Sequence, residues 1–239
     1  MTIATPPNGP GPVLALAVDR AGRQPPAWLA APLQTAARVL EISPGGALLR
    51  GEFTAGGWLG LDIDDTDDTG NPAGARVRAD PRDLPVRSRS VDGVALLLAL
   101  PSLPHLDPVF AELRRVLRPG GTLVVGVPSA AGGSWGERAA MRVLRPVHRA
   151  WPHRSALDRV GWLLAAADFA VMGDDRVPFA VPIPDAAAAL ALAERLPSAR
   201  LWPPNLPEGV RAEAASRLAR RAGPDRVLPV PMRRLVARR

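Results

Sequence analysis

The chain has 239 residues, of which 47% are hydrophobic, 22% charged and 4% aromatic, a size and composition that suit one compact domain with a full core and exclude wholesale disorder. With no cysteine and only three histidines (His105, His148 and His153), disulfides, thiolate nucleophiles, Cys-ligated zinc and iron–sulfur clusters are excluded; little remains for a His-built metal site, and no metal is expected. All thirty basic residues are arginine and the net charge is +7, but the balance is uneven: residues 1–110 hold nine Arg against twelve acids, residues 111–239 twenty-one against eleven. The basic second half is dispersed and has few aromatics to stack on bases, so nucleic acid is not the expected partner.

Residues 1–25 are rich in Pro and Gly, apart from the apolar stretch Val13–Val18, and read as an irregular N-terminal arm. They lack the charged start and apolar middle of a signal peptide, and no apolar run reaches the roughly 18 residues of a membrane span, so a soluble cytoplasmic protein is expected. A helix is predicted over Pro26–Ala37. Apolar, β-branched or Leu-rich runs bounded by Gly, Pro or Asp then predict strands at Arg38–Ser43, Trp58–Asp64, Ala75–Asp80, Val91–Leu100 and Thr122–Pro128. Between the last two, Val109, Phe110, Leu113, Val116 and Leu117 recur at helical spacing, with Asp107 as the expected N-cap and Pro119-Gly120-Gly121 as the stop. Near-continuous apolar strands alternating with helices predict a doubly wound α/β architecture around a parallel sheet buried on both faces.

The segment 129–152 is long for a strand-to-helix connection. Within it Arg138, Arg142, Arg145 and Arg149 lie opposite Ala140, Leu144, Val147 and Trp151, a basic amphipathic helix kinked at Pro146 that reads as a substrate lid, a membrane-surface contact or a solvated surface helix. A helix over Ser155–Ala167 and a strand over Phe169–Val181, interrupted at Gly173-Asp174-Asp175, come next. Helices Ala186–Leu196 and Glu208–Arg221, separated by Pro203, Pro204 and Pro207, form a helical insertion at 185–222 before a closing strand near Val227–Val236. No internal repeat is present, and residues 26–239 read as a single domain.

Ligands of open α/β sheets sit beyond the carboxyl ends of the strands, which directs attention to Glu41-Ile42-Ser43-Pro44-Gly45-Gly46-Ala47 after the first strand. A second acid, Asp62, ends the next strand 21 residues after Glu41, a spacing that suits acceptance of hydrogen bonds from ribose hydroxyls.

Three segments together, Arg78-Ala79-Asp80-Pro81-Arg82-Asp83-Leu84-Pro85, Ser90-Val91-Asp92-Gly93-Val94 and Phe110-Ala111-Glu112-Leu113-Arg114-Arg115-Val116-Leu117-Arg118-Pro119-Gly120-Gly121, resemble the class I S-adenosylmethionine (SAM)-dependent methyltransferases. The resemblance spans about Arg38–Pro128 and extends loosely to Ala167-Asp168-Phe169. It implies a seven-stranded, mostly parallel Rossmann-like sheet with an antiparallel edge strand, SAM as cofactor and methyl transfer to a small-molecule acceptor, an anionic one among the options. By the same resemblance Glu41, Ser43, Gly45, Gly46 and Ala47 face the methionine part, Asp62 and Ile63 the ribose, Asp80 and Pro81 the adenine, and Leu98 the site floor. His105 is the candidate general base, being the histidine nearest the strand ends.

The chain departs from the family pattern in three places. Ser43 and Ala47 stand at the first and third positions of the usual Gly-x-Gly-x-Gly, where a side chain at positive φ costs on the order of 1 kcal/mol. The acidic stretch Asp65–Gly74 is short for a helical crossover. After the fourth strand the chain runs Leu98-Ala99-Leu100-Pro101-Ser102-Leu103-Pro104, an apolar floor with no evident base, although alignment of an already activated methyl donor suffices for transfer to a good nucleophile. Two alternatives therefore stand beside the small-molecule enzyme: a catalytically silent methyltransferase-like binding or partner protein, and an RNA methyltransferase.

Overall fold

A computed structural model describes residues 10–53, 57–63, 77–129, 138, 142 and 144–239. Seven strands form one sheet: β1 (Val39–Ser43), β2 (Trp58–Asp62), β3 (Val77–Arg78), β4 (Val91–Leu97), β5 (Leu117–Pro128), β6 (Ala170–Pro182) and β7 (Val227–Arg238). Their order is β3-β2-β1-β4-β5-β7-β6. The first five are mutually parallel, and β7 is inserted antiparallel between β5 and β6, which leaves β6 at the edge. Strand order reverses between β1 and β4, the switch point where such sheets bind ligands.

The apolar runs become strands because both sheet faces are covered. Leu40, Ile42, Leu61, Val94, Leu96, Leu123 and Val125 belong to one core cluster, with Val109, Phe110, Leu113 and Val116 of the helix Leu106–Val116 laid over them. On the opposite face Val39, Ala95, Leu97 and Val124 meet Leu29, Leu33, Leu192, Leu201 and Trp202. These strands are close to fully buried, the signature of a parallel sheet sandwiched between helices.

Several local expectations are corrected. The helix expected at Pro26–Ala37 is a short helix Pro25–Ala30 followed by a helical turn Ala31–Leu33. Asp107 does not cap the helix 106–116: His105 holds the N-cap position in left-handed conformation, with no side-chain cap bond, and Asp107 lies in the first turn. Nor do Pro119-Gly120-Gly121 form a separate stop. The chain turns extended at Leu117, and these residues are a bulge inside β5, where pairing jumps from Val91–Leu117 to Gly93–Thr122. Ser155–Ala167 is two helices, Ser155–Asp158 and Val160–Ala166, broken at Arg159. Gly173-Asp174-Asp175 does not interrupt the sixth strand, because a bulge between Val171 and Gly173 absorbs the irregularity and β7 keeps pairing on both sides of it.

The N-terminal stretch is anchored. Gly11–Leu14 forms a helical turn, Val13, Leu14 and Ala17 are buried, and Val18 is bridged to Ala180 of β6. The segment 185–222 contains helices Ala186–Arg195, capped by the Asp185 carboxylate accepting from the Ala188 amide at 2.7 Å, and Glu208–Ala219. Both helices add to the core cluster on that side of the sheet. In the expected lid, Leu144, Val147 and Trp151 are buried while Arg138, Arg142, Arg145 and Arg149 are exposed, and Pro146 occupies the first turn of the helix Arg145–Arg149 rather than a kink. Ala140, residues 130–137 and the acidic stretch 65–74 lie outside the described residues. Among the described residues no helix is long and apolar enough to cross a membrane.

Candidate functional site

The site sits at the carboxyl edge of β1–β4 and has two dissimilar ends. At the β2–β3 end lies a cavity of about 410 Å³, a volume within the range of small-molecule sites. Ile63 lines it from the end of β2, Arg78–Arg82 from the end of β3 and the turn beyond, and Leu103 and Pro104 from the segment after β4. The turn is closed by the Asp83 amide donating to the Asp80 carbonyl at 3.0 Å. It is held from behind by the helix 106–116: Glu112 Oε2 accepts from the Leu84 amide at 2.7 Å, while Arg115 donates to the carbonyls of Leu84 (2.9 Å) and Val86 (2.8 Å) and pairs with Glu112 at 2.6 Å. Arg118 similarly reaches Asp92 at 2.6 Å, and Asp92 accepts from the Arg38 amide at 3.0 Å. Glu112 and Arg115 of this helix thus brace the cavity edge without lining the cavity.

On the cavity wall Asp80 is clamped by Arg82, whose Nε and Nη2 donate to both carboxylate oxygens at 2.7–3.1 Å while its amide donates to Oδ1 at 2.8 Å. The Arg82 guanidinium holds the Asp80 carboxyl below the usual range, and Asp80 in turn raises the arginine. Asp62, nearly buried at the end of β2, accepts from the Gly45 amide at 2.8 Å, which ties the first loop to the second strand.

The β1 end is built differently. Glu41 is fully buried, and its carboxylate accepts from Ser43 Oγ (2.5 Å), the amides of Leu48 (2.6 Å) and Leu49 (2.9 Å), and Trp58 Nε1 (3.1 Å). Burial pushes the Glu41 carboxyl up, and the four donors oppose that shift. The loop lies directly on β2: Gly46 adopts φ +59°, and a Cβ there would stand 2.8 Å from the Asp62 amide nitrogen, while a Cβ on Gly60 would stand 1.7 Å from the Gly46 carbonyl oxygen. Only glycine fits at either position. Among the described residues of the 44–57 connection there is no α-helix, only the helical turn Arg50–Glu52. The described residues thus offer no helix N-terminus there to present amides to a ligand.

The cavity therefore brings together Ile63, Asp80 and Pro81 of the expected site residues. Glu41 and Ser43 are buried beneath the loop, Gly45 and Gly46 form it, and Ala47 is exposed beside it, but none of these lines the cavity. Leu98 is fully buried in the core, with its amide donating to the Gly126 carbonyl at 2.8 Å, and His105 is exposed next to the lining residue Pro104. Sequence reasoning missed Arg78 and Arg82 as wall residues, though their positions two before and two after Asp80 were a usable signal. It also missed Trp58 as a partner of Glu41, for which linear order holds no sign. Among the described residues no cluster of His, Asp or Glu could hold a metal ion.

The Methyltransferase domain family model matches residues 40–125, just over a third of the chain. No curated protein matches the sequence. Solved structures that it resembles include the [4+2]-cyclase SpnF, 16% identical over 90% of this chain and 79% of that one, with a TM-score of 0.54. A candidate type II methyltransferase from Anaeromyxobacter dehalogenans is 19% identical over 90% and 95%, TM-score 0.53, and the YcgJ protein of Bacillus subtilis 13% identical over 90% and 97%, TM-score 0.51. At these identities the likeness is one of fold, and the cyclase illustrates that the fold alone does not name a reaction. Residues 40–125 thus match the Methyltransferase domain model, and the sheet built around them has the fold of these solved structures.

Proposed function

We propose that this protein binds SAM and transfers its methyl group to a small-molecule acceptor. The observation that carries the reading is the 410 Å³ cavity at the carboxyl ends of β2–β4, with the Asp80 turn on its wall and the nearly buried Asp62 one residue before its lining residue Ile63. These groups fit the nucleoside half of the cofactor: a carboxylate accepts several hydrogen bonds at once, so Asp62 can take ribose hydroxyls while keeping the Gly45 amide, and Asp80 with Pro81 borders a flat base. The loop Ser43–Ala47, backed by Glu41, is the surface left for the methionine half. When bound, the cofactor supplies a methyl group already activated on a sulfonium. The chain's part is then to align donor and acceptor and to exclude water, which needs no dedicated base for a good nucleophile.

The test is calorimetric titration and thermal unfolding with SAM and S-adenosylhomocysteine, on the native chain and on Asp62→Ala. Ligand at about 100 times its dissociation constant adds roughly 2.7 kcal/mol, worth about 5–10 °C in a chain of this size. Loss of that shift in the variant supports the reading, and absence of binding at millimolar ligand sinks it. The second reading, a catalytically silent relative that serves as a binding partner, is favoured by one observation, the β1 end in which the Glu41 carboxylate is spent on the protein's own donors. Binding of S-adenosylhomocysteine with no methyl transfer to any acceptor would select it.

A further inference from the structure

Strand β6 ends the sheet, and its outer edge already accepts a strand-like partner: the Val18 amide donates to the Ala180 carbonyl at 3.1 Å, and the Ala180 amide donates back to Val18 at 2.9 Å. Those two bonds set the phase of the strand. With Ala180 pointing its backbone groups outward, the period of two makes Pro178, Arg176 and Asp174 point outward as well, because the only irregularity in the β6–β7 register lies earlier, between Val171 and Gly173. Residues 170–172 and 174–176 are exposed, with Met172 65% accessible. Among the described residues only Val18 is bridged to this edge.

The charges on this edge are self-complementary. Asp174 and Arg176 share one sheet face. Asp174 is paired with the nearly buried Arg233 at 2.5 Å, whereas Arg176 makes no ion pair among the described residues. A two-fold axis through Asp175, perpendicular to the sheet, sets Asp174 opposite the second copy's Arg176, and Arg176 opposite its Asp174. Both positions have their amide and carbonyl pointing outward, so each forms a hydrogen-bonded pair as well as an ion pair. Sliding the register by two residues in either direction instead opposes Arg176 to Arg176 or Asp174 to Asp174. The two Asp175 carboxylates then face each other on the opposite side of the sheet, each neutralised by its own Arg234 at 2.8 Å. The ladder has natural ends. Pro178 offers no amide, and the bulge between Val171 and Gly173 breaks the strand's period before the second copy's strand would reach the Val18 bridge.

From this geometry we propose that the exposed edge of β6 pairs antiparallel with β6 of a second copy of this chain, joining the two sheets about a two-fold axis at Asp175. The test is sedimentation equilibrium of the full chain across micromolar to submillimolar concentration, at low and high salt, with Arg176→Pro and Arg176→Asp. The native chain dimerises, more weakly at high salt. Arg176→Pro removes an outward amide that the β6–β7 ladder does not use, so the monomer folds as before, and two lost hydrogen bonds per dimer weaken association about tenfold or more. Arg176→Asp sets like charges against Asp174 and abolishes the dimer at low salt. Circular dichroism and the thermal midpoint check each fold; where the proline variant fails to fold, the aspartate variant decides. A chain that stays monomeric throughout, or a dimer indifferent to the folded variants, overturns the proposal.

Discussion

The two ends of the site each carry an acid, Glu41 within β1 and Asp80 in the turn after β3, and use it in opposite ways. At the β3 end the Asp80 carboxylate stands on a cavity wall, about 44% exposed, and is held by a guanidinium that solvent can reach. At the β1 end the Glu41 carboxylate is fully buried and its donors come from the protein itself, two from a turn seven and eight residues on and one from a tryptophan of the neighbouring strand. The first arrangement leaves an acid exchangeable between partners. The second makes an acid part of the scaffold, so that the loop above it is shaped by folding rather than by a ligand. An acid on this edge of the sheet is open to an outside partner only where solvent reaches it, as at Asp80 and not at Glu41.

The largest expected effect breaks the sealed end. Glu41→Ala strands the amides of Leu48 and Leu49, the Trp58 indole and the Ser43 hydroxyl in a buried space, and a loss of about 3–5 kcal/mol in denaturant unfolding is expected; a loss below about 1 kcal/mol would show that the carboxylate is not the organiser of the loop. Next comes a region outside both ends, which serves as their control. His148 borders a small void lined by Leu144, Leu196 and Trp202, its Nε2 without a partner, and burial with the nearby Arg154 charge pushes its pKa down from 6.5 to about 4. The folded state thus resists protonation that the unfolded chain accepts. Its contribution is complete above pH 6.5 and lost as the pH falls toward 4, by up to about 3 kcal/mol. His148→Phe should flatten that slope in pH-dependent melts, without altering ligand binding.

Smaller again is Gly46→Ala, in which positive φ and a contact with the Asp62 amide nitrogen together destabilise by about 2 kcal/mol. It should also weaken S-adenosylhomocysteine binding, because the loop can relieve the contact only by moving off Asp62. The smallest effect sharpens the open end. Arg82→Ala is expected to leave the unfolding midpoint unchanged, since its pair with Asp80 is solvent-screened, and to tighten S-adenosylhomocysteine binding several-fold by releasing the Asp80 carboxylate to a base amino group. Weakened binding would mean that the arginine itself contacts the ligand.

The sheet was legible because burial on both faces writes itself as uninterrupted apolar runs, and Val39–Ser43, Trp58–Asp62 and Val91–Leu97 fall inside the segments expected for them. What misled was local punctuation. Pro119-Gly120-Gly121 carries the signal of a helix stop, yet the helix ends two residues earlier at Leu117 and the glycines serve a bulge, a distinction made by the pairing of Val91 with Leu117 across the sheet. Gly173-Asp174-Asp175 looks like a break, but Arg233 and Arg234 of β7 neutralise the two acids and keep them in the ladder. Of the candidate site, Glu41 and Asp62 stand out by their spacing, and Asp80 and the loop glycines by the resemblance alone, whereas the engagement of Glu41 has no linear signal, because its donors depend on a turn closing back over the strand. The burial of His148 likewise depends on the segment around Leu196–Trp202 folding over it.

The seating of the N-terminal stretch bears on how the chain is made. Val13, Leu14 and Ala17 are buried in a cluster with Phe179, Leu228 and Met232; Trp28 packs edge-on against Phe179 at 5.5 Å and lies under the Arg234 guanidinium at 4.7 Å. Residues 13–17 therefore complete this cluster only once β6 and β7, far downstream in the chain, are in place. Until then these apolar side chains have no native shelter, while β1, β2 and β4 can already assemble. Closure of the sheet by β7 is therefore a late step of folding, and a nascent chain stalled before β7 would present that unsheltered surface to chaperones.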